Sequence, residues 1–129
     1  MFTTALFCLA ANIFHEARGE HPIGQYAVAQ VTMNRAGDDP DKVCGVVYAK
    51  AQFSWTLSAK KRLTHPKKIN PEAWKTAKII AAQFMQGKVR VDITRGADHY
   101  YADYISKPKW AKKMKRTTKF GRHIFYASL

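Results

Sequence analysis

The strongest constraint on how this chain folds is its first long apolar run, which begins at Ala5 and ends against Gly19. Leu6, Leu9, Ala10, Ile13, Phe14 and Ala17 recur at the spacing of one helix face. Thr3 or Thr4 is placed to cap its start and Gly19 to stop its end. At about 100° per residue, Glu16 falls beside Leu9 on the edge of that face. A carboxyl there loses hydration, which disfavours its charged form and suits it to donating a proton near neutral pH. The same position also suits an ordinary ion pair with Arg18, so spacing alone marks Glu16 without assigning it a role. The run is too short to span a bilayer, follows no basic residue and leads straight into Glu16 and Arg18. It reads as a buried helix and not as the core of an export signal.

The remaining pattern predicts a mainly helical α+β fold with a small β element. A second helix is expected over 23–35, rich in Ala and Val, ending before the turn cluster Gly37-Asp38-Asp39-Pro40. A short helical piece over 43–48 leads into Gln52-Phe53-Ser54-Trp55, and the basic stretch 60–68 reads as an exposed loop. Asn70-Pro71-Glu72 is a helix start, and Gly87 ends the run that follows. Alternation over 89–93 predicts a short strand; His99-Tyr100-Tyr101 and His123 to Tyr126 predict extended segments, with a short helix near 110–114 between them.

At 129 residues and 47% hydrophobic content, one domain over 1–129 is expected, with no separate binding module attached. The net charge of +13 is unevenly placed. Residues 1–59 hold 4 Lys/Arg against 5 Asp/Glu, whereas the rest hold 18 against 4. The second half therefore predicts a surface that attracts polyanions: nucleic acid, anionic lipid or an anionic envelope. Cys8 and Cys44 match no metal or redox motif, and Cys8 sits among Leu6, Phe7, Leu9 and Ala10, so it is expected to be a buried free thiol.

Glu20, four residues after Glu16, is a possible second carboxylate of a glycosidase pair, although Gly19 interrupts the helix between them. Capping the second helix, or pairing with Arg35, serves Glu20 equally well. Gln52, Ser54, Trp55, Tyr100, Tyr101, Trp110 and Tyr126 combine aromatic platforms with amide and hydroxyl groups, which is what a carbohydrate groove needs. Core packing is the expectation for Phe53, Phe84, Trp74 and Phe125. No two of the five histidines have helical ligand spacing around a carboxylate, so no metal and no cofactor is expected.

Phe14-His15-Glu16-Ala17-Arg18-Gly19-Glu20, Gly24-Gln25 through Ala27-Val28-Ala29 to Asn34-Arg35, Cys44-Gly45-Val46-Val47-Tyr48 and Gln52-Phe53-Ser54-Trp55 form an ordered series. It continues with Asp92 to Ala97, His99-Tyr100, Pro108, Trp110, Gly121-Arg122-His123 and Phe125-Tyr126. In this series the chain resembles the cell-wall hydrolase family of spore-cortex-lytic enzyme catalytic domains and related phage endolysins. The resemblance implies a lysozyme-like fold and cleavage of peptidoglycan between N-acetylmuramic acid and N-acetylglucosamine, by a lytic transglycosylase or a muramidase. It implies Glu16 as catalytic acid. Gln52, Ser54 and Tyr100 are suited to the acetamido groups or the oxocarbenium-like state, and Trp55 and Tyr101 to stacking on sugar rings. A monomer is expected, held on the anionic envelope by its basic half. As a phage endolysin it would stay in the host cytoplasm until release to the wall or periplasm. The alternatives are a peptidoglycan amidase or endopeptidase, which would need a metal or a cysteine nucleophile, and a nonenzymatic nucleic-acid-binding protein. The near-neutral first half argues against the latter, and no nucleic-acid partner is expected.

Overall fold

In the computed structural model, which describes residues 4–49 and 52–129, α1 (Ala5–Ala17) is the axis of the fold. Its N-cap is Thr4, whose side chain accepts from the Phe7 N–H at 3.1 Å; the alternative, Thr3, lies outside the described residues. Helices α2 (Pro22–Arg35), α3 (Pro40–Val47) and α6 (Pro71–Met85) all pack on α1. The helix is therefore buried over more of its circumference than one amphipathic face, and Cys8, Ala11 and Asn12 join the expected core positions. Asn12 is tolerated there because its side chain is satisfied: it donates to Thr32 Oγ1 at 3.2 Å and accepts from Trp55 Nε1 at 2.8 Å. Proline at the first turn of α2, α3 and α6 sets each helix start, and Asn70 caps α6 through the Ala73 N–H.

Cys8 and Cys44 are bonded to each other, contrary to the free thiol expected. Packing of α1 against α3 brings their Cα atoms within 5.3 Å across 36 residues of chain, a proximity that no local pattern encodes. The basic stretch after residue 59 is likewise not a plain loop. It forms α4 (Ala59–Leu63), capped by Ser58, and α5 (Pro66–Ile69), capped by His65.

Three antiparallel strands follow in the order β1-β3-β2: β1 (His99–Ala102), β2 (Lys115–Phe120) and β3 (His123–Ala127). The central strand β3 buries His123, Phe125 and Tyr126. Strand β2 lacks the alternating apolar signature, because it is an edge whose Lys115, Arg116 and Lys119 face water and discourage further pairing. A 3-10 turn over Lys109–Lys113 stands near the short helix expected there. The strand expected over 89–93 does not form. Asp92 instead organises a turn, its carboxylate accepting from the Thr94 and Gly96 N–H groups, the Thr94 hydroxyl and the Asn34 amide. Two hydrophobic clusters result, one around α1, α3 and α6 and one of Ala17, Ala27, Val28, Val31, Ala97 and Phe125. Tyr100 packs against both.

Candidate active site

Glu16 lies on the last turn of α1, where the helix emerges from the core into a cavity of about 500 Å³. Gln52, Ser54, Tyr100, Tyr101, Trp110 and His123 line the same cavity. The chain thus brings together six of the nine candidates picked from the sequence: Glu16, Gln52, Ser54, Tyr100, Tyr101 and Trp110.

The environment of Glu16 opposes ionisation. Burial raises its carboxyl above the usual range, partly offset by the Tyr100 hydroxyl and by the positive potential of His123 and Lys61, while Glu20 raises it again. Tyr100 donates its hydroxyl to Glu16 Oε1 at 2.5 Å. Burial and the neighbouring Glu16 push that phenol well above its ordinary value, so it remains a donor throughout the neutral range. Because Tyr100 sits on β1 and packs against both core clusters, it fixes one oxygen of Glu16 and leaves the carboxyl little freedom to turn.

Glu20 is near but differently employed. Gly19 takes a left-handed φ of 85°, breaking the helical register that would have set Glu20 directly above Glu16. Glu20 meets His123 instead, its oxygens 3.2 and 3.1 Å from Nδ1. Gly121 makes room for this pair: a Cβ there would stand 2.8 Å from Glu20 Oε1, and its φ of 55° also favours glycine. The His123 ring in turn stands edge-on to Tyr100 at 5.0 Å between centroids.

Trp55 does not join the lining of the Glu16 cavity. It is 3% exposed, donates its indole N–H to Asn12 and stacks on His15 with ring centroids 4.3 Å apart. The 3-10 turn Ser54–Leu57 turns this side chain inward while Ser54 and Leu57 face the Glu16 cavity. Of the four aromatics assigned to the core, Phe53, Trp74 and Phe125 are buried there, and Phe84 is partly buried against it. Tyr126, a groove candidate by composition, is 4% exposed and supports Tyr101 and Trp110 from behind.

Two contributors are not among the site candidates; the sequence offers Arg35 only as an ion-pair partner for Glu20, which pairs with His123 instead. One is His123, which the antiparallel pairing of β3 with β1 delivers to the cavity. The other is Arg35, at the end of α2, whose Nε donates to the Asp98 carbonyl at 2.5 Å and whose charge acts on Tyr100, Asp98 and Glu16. Its Nη1 is buried with no hydrogen-bond partner. Both stand in short motifs, Asn34-Arg35 and Gly121-Arg122-His123, whose presence was the only available signal.

With Cys8 and Cys44 joined, neither is a thiol nucleophile. Among the described residues, no three His, Cys, Asp or Glu side chains gather as a metal site requires. A separate apolar cleft of about 270 Å³ between α2, α6 and residues 89–93 is lined by no carboxylate or imidazole.

Residues 19–126 match the model of a family described as Cell Wall Hydrolase; the match begins just beyond Glu16. Over 119 residues the chain is 29% identical to a spore cortex-lytic enzyme of Halalkalibacterium halodurans and 30% identical to one of Bacillus cereus. These alignments take in 91% of this chain but 33% and 42% of the relatives, so the chain spans less than half of either. Two solved structures are similar throughout. The catalytic domain of a germination-specific lytic transglycosylase from Bacillus anthracis superposes with a TM-score of 0.71 at 29% identity, covering 97% of this chain and 96% of that one. The catalytic domain of the Bacillus cereus SleB protein gives 0.70 at 29% identity, covering 98% and 92%.

Proposed function

The chain belongs to the cell wall hydrolase family, and from that membership we propose that it cleaves peptidoglycan glycan strands between N-acetylmuramic acid and N-acetylglucosamine as a lytic transglycosylase. The observation that carries this reading is Glu16: a carboxyl whose burial disfavours its charged form, oriented by Tyr100 and open to a cavity with polar and aromatic walls. Glu16 protonates the glycosidic oxygen, and the bond to the muramic acid breaks through an oxocarbenium-like state. The resulting carboxylate takes the proton of the muramic acid 6-hydroxyl, whose oxygen closes the anhydro ring. Proton and bond counts balance with one carboxylate and no water. Gln52 and Ser54, which line the cavity, hold acetamido groups in this reading, and Tyr101 and Trp110, which also line it, meet the sugar faces.

Transglycosylation is favoured over inverting hydrolysis by the engagement of Glu20. An inverting enzyme needs a second carboxylate free to activate water. Here Glu20 is held by His123 under Gly121. The relatives are bacterial spore cortex-lytic enzymes, so a phage endolysin setting draws no support from them and is not part of the proposal. The Cys8–Cys44 bond suits work in an oxidising compartment outside the cytoplasm, where the wall lies. Mass spectrometry of digested wall tests the reaction. Anhydromuropeptides are expected from the native protein and none from Glu16→Gln. Full activity in that variant refutes Glu16 as the acid, and reducing-end products refute transglycosylation.

A further inference from the structure

A second cavity, of about 300 Å³, adjoins the first. His15 lines both, and the 3-10 turn Ser54–Leu57 contributes Ser54 and Leu57 to the Glu16 cavity and Trp55 to the second. The inner wall is rigid. Trp55 stacks on His15 and is fixed by its bond to buried Asn12, and Tyr48 stands edge-on to Trp55 at 5.7 Å. The outer wall is Lys61 and Arg62 of α4, both exposed.

The charge in this cavity is one-sided. No acid lines it, and none of the ion pairs among the described residues involves Lys61 or Arg62. His15 reports the same potential. Burial first, then Arg18 and Lys61, push its imidazole down to about 4, so the ring is neutral at physiological pH. A rigid wall, an apolar floor and unpaired cations call for an anionic ligand with some apolar surface.

Resting on the glycan-cleaving reading of the neighbouring cavity, we propose that this second cavity binds the carboxylate-bearing peptide stem of the strand being cut. Where a stem is attached, the lactyl carboxyl of muramic acid is an amide, so the sugars of the glycan backbone are neutral. The carboxylates belong to the peptide attached through the lactyl group of muramic acid. A cationic, acid-free pocket sharing a wall with the cleavage cavity is complementary to the stem and not to the sugars. The structure thereby assigns a preference for stem-bearing over stripped glycan.

The test uses soluble glycan oligomers of equal length, with stems intact or replaced by a simple lactyl amide so that no new carboxylate is exposed, which separates the pocket from general adsorption to the wall. Arg62→Glu is exposed on a short surface helix and should fold normally. Its kcat/KM on stem-bearing oligomers is expected to fall about fivefold, as reversing one partly solvated charge contact implies, while stem-free oligomers are cut as before. Lys88→Glu, equal in charge change and outside this cavity, should leave the ratio of the two substrates unaltered. An equal fall on both substrates, or no fall on either, overturns the proposal. Binding to the Glu16→Gln protein gives a readout independent of turnover. A stem-bearing disaccharide should shift the Trp55 indole and His15 ring resonances, and the stem-free disaccharide should not. Stem-bearing ligand that perturbs only the Glu16 cavity sinks the stem site and leaves the glycan reading standing. If the native protein releases no glycan fragments, the glycan reading fails, and the binding measurement alone decides the stem site.

Discussion

Removing the Cys8–Cys44 bond, by Cys8→Ala with Cys44→Ala or by reduction, should destabilise the fold by about 4 kcal/mol at 25 °C. The bond closes a loop of 36 residues, and the loop-entropy relation gives about 13 cal/mol/K for that length in the unfolded chain. For a domain of this size that corresponds to a fall in Tm of roughly 15 °C. The effect acts mainly on the unfolded ensemble, because Cys8 and Cys44 are also placed by the packing of α1 on α3, which remains when the bond is gone. Glu16 is about two turns further along α1, so cleavage below the lowered Tm should be nearly normal. Thermal unfolding with and without reductant measures the shift. Thiol titration of the denatured, unreduced protein supplies the control. Two titrating thiols per chain, together with a Tm indifferent to reductant, would refute the bond and the reasoning built on it.

Three further outcomes are expected. Tyr100→Phe removes the hydroxyl that favours ionised Glu16, so the alkaline limb of kcat/KM should move up by about one pH unit, with kcat reduced. Burial already holds Glu16 above its unfolded value, so its contribution to stability is present at acid pH and is lost as pH rises through the folded value. The variant should enlarge that loss, which unfolding at two pH values detects. Trp55→Phe should cost about 2–4 kcal/mol in denaturant unfolding, by leaving Asn12 Oδ1 without its donor and opening space beside His15; a large rise in KM with stability unchanged would restore Trp55 as a sugar contact. Asp92→Ala should destabilise by about 2 kcal/mol near neutral pH, through loss of the hydrogen bonds that order residues 92–97. Burial alone would raise the Asp92 carboxyl, but bonds from Thr94, Asn34 and Gly96 hold it below its usual value. Its contribution is thus present above the unfolded carboxylate range and lost as pH falls through the folded value, and the gap between native protein and variant should close in acid.

The unevenness of what sequence reveals is visible along α1 itself. Its cap at Thr4, its apolar face and the left-handed Gly19 are local features, written within a turn or two of chain, and they place Glu16 on the rim of the core without help from elsewhere. The strand at 89–93 failed for the opposite reason: alternation supplied a pattern, but no neighbouring strand completes it, and the Asp92 carboxylate captures the local N–H groups first. Strand β2 formed without any pattern, because pairing with β3 supplied its hydrogen bonds.

By itself the sequence determined the long helices α1, α2 and α6, the motif series that marks the family, and the address of the acid. The tertiary structure decided what surrounds that acid. Tyr100 arrives from 84 residues away, His123 draws Glu20 aside across 103, and Trp55 turns inward to Asn12 across 43. The physical reason is range. Helix periodicity and capping are settled among residues a few positions apart. The pKa of a carboxyl, the partner of a cysteine and the burial of an indole depend on which distant surfaces meet once the chain has closed.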